Sequence, residues 1–102
     1  MNEPKSIVLP WYACEEDFLA VIRMLPAEER NGAVSYQEFS AWIDAEEDAF
    51  YQSGVSTWRV TVKASALKTW CNANHLPVCN SSIERYARET ADRHERRILE
   101  GN

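Results

Sequence analysis

A chain of 102 residues, 45% hydrophobic and 26% charged, is one domain's worth of sequence, with too much apolar material for a disordered segment. Its net charge of −5 argues against sequence-independent nucleic-acid binding, which needs a net basic face, and no stretch approaches the roughly 18 continuous apolar residues of a membrane-spanning helix. The opening MNEPKSIVLPWY holds no apolar run of signal-peptide length, and Cys14, Cys71 and Cys79 are an odd number, so the expected setting is a reducing cytoplasm with free thiols.

In chain order, SIVLPWY reads as a short edge strand at about Ile7 to Leu9, because Pro10 cannot donate to a ladder. Phe18, Val21, Ile22 and Leu25 then recur at helical spacing behind Glu15, Glu16 and Asp17, acids placed where a helix dipole favours them. This first helix is expected to end at Pro26. Ser35 and Glu38 form a Ser-x-x-Glu capping box that opens a second helix. Tyr36, Phe39, Ile43 and Phe50 share one face of it, and Gly54 is the natural left-handed stop.

TWRVTVK alternates strictly. Trp58, Val60 and Val62 fall on one face of a strand and Arg59, Thr61 and Lys63 on the other. Ser65 is placed to cap a third helix carrying Leu67, Trp70 and Cys71 and stopping before Pro77. A second box, Ser81 with Glu84, opens the last helix, whose stripe is Ile83, Tyr86, Ala87, Ala91 and Ile98. Five arginines and five acids between Glu84 and Glu100 make its outer face mixed and nearly neutral.

The expected fold is a single α-rich α/β domain, residues 1–102, in the order β-α-α-β-α-α. Two strands flanking a helical pair pair parallel through a right-handed crossover, with helices on one face and Arg59, Thr61 and Lys63 on an open one. The exposed edges of so small a sheet point to a homodimer. Residues 1–50 hold eleven acids against three bases and the remainder five against eight, a split that suits attraction between the two halves of one chain.

PWY near the start, SYQEFSAWIDAEE in the middle, RVTV after it and LKTWC in the following helix resemble a family of small, functionally uncharacterised bacterial proteins carried on genomic islands and plasmids. The likeness spans roughly residues 8 to 90. It implies a mobile-element origin and an accessory role, and transfers no reaction.

Candidate sites divide into four. NGAVSYQEF places Gly32, Val34 and Glu38 at calcium-loop positions six, eight and twelve. Ala27 then falls at position one, where a carboxylate is needed, so a turn at Asn31-Gly32 followed by a cap is preferred. Cys71, His75 and Cys79 recur every four residues and are the candidate zinc ligands of a regulatory module, although no Cys-x-x-Cys knuckle is present. Asp44, Glu47 and Asp48 share a helix face and suit an acidic inhibitor or nucleic-acid mimic docking on a basic protein. Trp11, Tyr12, Arg59 and Lys63, around the two strands, form the preferred contact surface. With two histidines, three glycines and no glycine-rich loop, the expectation is a non-enzymatic protein without cofactor, acting through protein–protein contacts.

Overall fold

The computed structural model describes residues 7–30 and 34–100, with side chains as far as residue 95. The turn expected at Asn31-Gly32 and the side chain of Ile98 lie outside the described residues. The elements are β1 (Ile7–Trp11), α1 (Glu15–Met24), α2 (Ala27–Arg30), α3 (Tyr36–Gln52), β2 (Thr57–Thr61), α4 (Ala64–Ala73) and α5 (Asn80–Glu100). β1 and β2 pair parallel, Ile7 beside Thr57 and Trp11 beside Thr61, as the α-rich α/β reading expects.

Pro10 does not end β1, and the ladder explains why. The Ile7 N–H donates to Ser56 O at 3.0 Å and the Val62 N–H to Trp11 O at 2.7 Å. By period two, Ile7, Leu9 and Trp11 therefore turn their backbone groups towards β2, while Val8 and Pro10 turn theirs outwards. The N–H that Pro10 lacks would have pointed away from the ladder, so the strand runs on to Trp11.

Pro26 likewise starts an element as well as stopping one. Its carbonyl accepts from the N–H of Glu29 and of Arg30, at 3.0 and 2.9 Å, and the single turn α2 follows, which adds a helix to the expected order. Ser35 and Glu38 complete their capping box as expected, the Glu38 N–H to Ser35 Oγ at 3.1 Å and the Ser35 N–H to Glu38 Oε1 at 3.2 Å.

The two later helices begin one residue or more before the expected serines, because their caps come from distant carboxylates. Asp17 Oδ1 on α1 accepts from the Ala64 N–H at 3.1 Å, so α4 starts after Lys63 and Ser65 lies inside it. Glu29 Oε1 on α2 accepts from the Asn80 N–H at 2.6 Å. With the Ile83 N–H on Cys79 O at 3.0 Å, Cys79 is the residue at the mouth of α5 and Ser81 lies within it. Each cap stabilises by about 1 kcal/mol and also fastens two elements together.

α3 and α4 both close in the paired-bond arrangement that satisfies their last carbonyls. After α3 the Val55 N–H reaches Phe50 O at 2.8 Å and the Gly54 N–H reaches Tyr51 O at 3.0 Å, with Gly54 at φ +77°. After α4 the Leu76 N–H reaches Cys71 O at 2.9 Å and the His75 N–H reaches Asn72 O at 3.2 Å. Here the left-handed residue is His75, at φ +56°. A Cβ at such a φ is strained, so His75→Gly is expected to raise stability by about 0.5–1 kcal/mol, read as a higher urea midpoint. A lowered midpoint would show that the imidazole makes a compensating contact.

The core gathers Phe18, Val21 and Leu25 of α1, Leu67 and Cys71 of α4, Ile83 of α5, Tyr12 and Val62. A smaller cluster joins Val60 to Ala87 and Ala91, where small residues let α5 approach the sheet. The face expected to be open is covered. Leu9, Trp11 and Arg59 lie on the side opposite Val60, and α3 crosses there, with Phe39 stacked on Trp11 at 6.1 Å between ring centroids. The sheet is therefore sandwiched between α5 and α3, leaving only its edges. Among the described residues no helix is long and apolar enough to cross a membrane.

Candidate functional site

The contact surface expected at Trp11, Tyr12, Arg59 and Lys63 is largely internal. Tyr12 is only 5% exposed, edge-on to Phe18 at 5.6 Å, and burial pushes its phenol up to about 12. Its side chain belongs to the core, and the little of it that reaches the surface lines the cleft described below. Trp11 lies beneath the Arg59 guanidinium, whose carbon is 4.2 Å from the ring centroid. Lys63, exposed at the mouth of α4, is the one member left facing solvent.

Arg59 and the acidic face turn out to be one feature. Arg59 Nε donates to Glu47 Oε2 at 2.7 Å, and Nη2 to Glu47 Oε1 and Asp44 Oδ1, both at 2.6 Å. The forked contact fits a planar guanidinium between two carboxylates and fixes α3 across the sheet. It holds the Glu47 carboxyl below its ordinary range and raises the guanidinium above its own, in each case first through the hydrogen bond between Arg59 and Glu47. Here the acidic half of the chain meets the basic half. Of the three acids expected to receive a partner, two hold the chain's own arginine, and Asp48 is exposed.

The zinc candidates are not brought together: no group of three metal-binding side chains forms among the described residues. Cys71 is buried on α4, and burial pushes its thiol up, with a smaller push from Cys79. His75 is exposed in its left-handed position beyond the helix. Cys79 turns to α5 instead, its sulfur 3.3 Å from Ser81 Oγ and 3.4 Å from Ser82 Oγ, contacts that lower its thiol. Ser82 Oγ in turn donates to Pro77 O at 2.7 Å.

The concave feature that does emerge lies along the outer edge of β1, a cleft of about 710 Å³. Val8, Leu9 and Pro10 form its floor, Phe39, Trp42 and Ile43 of α3 one wall, and the first turns of α5 from Asn80 to Arg88 the other. Trp42 is 54% exposed there. It lies about 60° around the helix from Phe39, at the rim of the apolar stripe, which is why period alone does not separate it from the core. Across the cleft Arg88 is exposed and makes no salt bridge among the described residues, while Arg85 is paired with Glu89 at 3.0 Å.

The cleft thus combines apolar floor and aromatic wall with an arginine, Arg88, that is unpaired among the described residues, the residue types that anchor protein contacts. Sequence reasoning passed over Trp42 and Arg88. The signal available for Arg88 was weak, since Glu89 follows it in the chain and reads as its balance, yet it is Arg85 that Glu89 engages. Compared with known proteins, the chain matches no family model, no curated protein and no solved structure.

Proposed function

We propose that this chain is a non-enzymatic interaction protein, dimeric in its working form, that holds an extended segment of a partner protein in the cleft between α3 and α5. An accessory role on a mobile element is what the sequence resemblance adds. The observation carrying the reading is Trp42, a large aromatic side chain left half in water at the mouth of a cleft with an apolar floor. Such a side chain gains most by closing against a second apolar surface, and Trp and Arg dominate the energetics of protein contacts. The partner segment is one with a bulky apolar side chain for Phe39 and Trp42 and a carboxylate within reach of Arg88.

The acidic-inhibitor alternative has less support, because Asp44 and Glu47 are engaged with Arg59. The zinc alternative has less still, because Cys71, His75 and Cys79 do not converge. A random-peptide display library panned against the purified protein tests the reading. Selected peptides are expected to combine an aromatic or aliphatic residue with Asp or Glu, and Trp42→Ala to weaken them about 30-fold, the ~2 kcal/mol of an interface anchor. Arg88→Glu is expected to reverse the preference for acidic residues. Binders indifferent to both substitutions, or no binders at all, would reject the cleft.

A further inference from the structure

The two edges of the sheet are not equivalent. On β1 the outer edge has Pro10 where a donor would be, and the cleft walls rise on either side of it. On β2 the same ladder parity turns Ser56, Trp58, Val60 and Val62 towards β1, so Thr57, Arg59 and Thr61 direct three N–H and three C=O groups outwards. None of these six groups has a hydrogen-bond partner among the described residues. The edge carries no proline and no bulge, and its neutral side chains are β-branched threonines.

Natural edges are guarded by charge, and the one charge within β2 is folded away, the exposed Lys63 lying beyond the strand's end. The Arg59 side chain lies back over Trp11 and is neutralised by Glu47 and Asp44 on α3, so it neither projects past the edge nor carries uncompensated charge there.

We infer that the outer edge of β2 pairs antiparallel with the same edge of a second copy of this chain, about a two-fold axis at Arg59. The pattern around that axis is self-matching. Arg59 exchanges both backbone bonds with its counterpart, and Thr57 of each copy stands opposite Thr61 of the other, a favourable cross-strand pair. The result is a continuous four-stranded sheet whose two outer strands are both β1, each ending in its Pro10-blunted edge and its cleft. This rests on the dimeric part of the proposed function and assigns the edge and the register; the cleft is independent of it.

Native mass spectrometry with amide hydrogen exchange tests the inference. The unmodified protein is expected to be a dimer in which the amides of Thr57, Arg59 and Thr61 exchange slowly. The double variant Thr57→Lys/Thr61→Lys sets like charges opposite each other at both pairs and is expected to weaken the dimer about tenfold at low salt. The variant Thr57→Lys/Thr61→Glu sets opposite charges there and is expected to keep it. Circular dichroism checks the fold of both. A monomeric parent overturns the edge and the dimer together; a dimer with fast exchange at these amides, or one unmoved by like charges, overturns the edge alone. If both variants dissociate equally, the register is wrong. None of these outcomes touches the cleft.

Discussion

Phe18→Ala is expected to lower the stability of the folded chain by about 3–5 kcal/mol, a large share of the 5–15 kcal/mol that holds a domain of this size. Phe18 is nearly fully buried and touches three rings, with centroid distances of 5.6 Å to Tyr12, 5.6 Å to Tyr36 and 5.3 Å to Phe39. These rings join α1, the end of β1 and the start of α3, so truncation leaves a cavity at the junction of three elements rather than on one face. Urea denaturation followed by tryptophan fluorescence reads the change. A loss under about 1.5 kcal/mol would mean that the aromatic cluster collapses into the space and is not the rigid joint described.

The second large effect belongs to Arg59→Ala, expected to cost about 2 kcal/mol. Three charge-assisted hydrogen bonds and a contact over Trp11 disappear, and Asp44 and Glu47 are left facing each other. The figure is held down because the side chains of Arg59 and Glu47 are 29% and 30% exposed and therefore partly screened. Asp44, 70% exposed, contributes less, so Asp44→Asn is expected to cost under about 1 kcal/mol. The pH dependence has a definite sign. The folded Glu47 carboxyl lies below its ordinary value of 4.5, so its contribution is complete above that value and fades as pH falls through the folded one. Arg59→Ala is expected to flatten the stability curve in that acid window. An unaltered acid limb would show that the clamp is not formed in solution.

How far the sequence is legible depends on the range of the interaction that sets each feature. β2, the Ser35–Glu38 cap and the Gly54 stop are decided by residues within six places of one another, and period and capping rules find them. The starts of α4 and α5 are set by Asp17 and Glu29, 47 and 51 residues away in the chain, so local serines were the wrong guide. Pro26 was legible as a stop, but not as the first carbonyl of α2.

The site was harder to read for the same reason. Asp44 and Glu47 look like solvated helix surface until the second strand brings Arg59 against them, and the supposedly open face of β2 closes in the same step. Trp42 reads as core because tryptophan usually is, yet it flanks the inward stripe of the partly buried Phe39 and the buried Ile43, on the side where β1 ends the sheet. Only the tertiary arrangement shows that nothing beyond β1 covers that indole among the described residues.

The claim that the cleft is where this protein meets its partner is tested most directly by titrating a display-selected peptide into isotopically labelled protein and following its amide and indole resonances. The Trp42 indole N–H is expected to shift most, together with the amides of Val8, Phe39 and Arg88, while the α1–α4 junction around Phe18 and Leu67 stays still. Shifts confined to the exposed face of α5 or to β2, with an unmoved Trp42 indole, would contradict that claim.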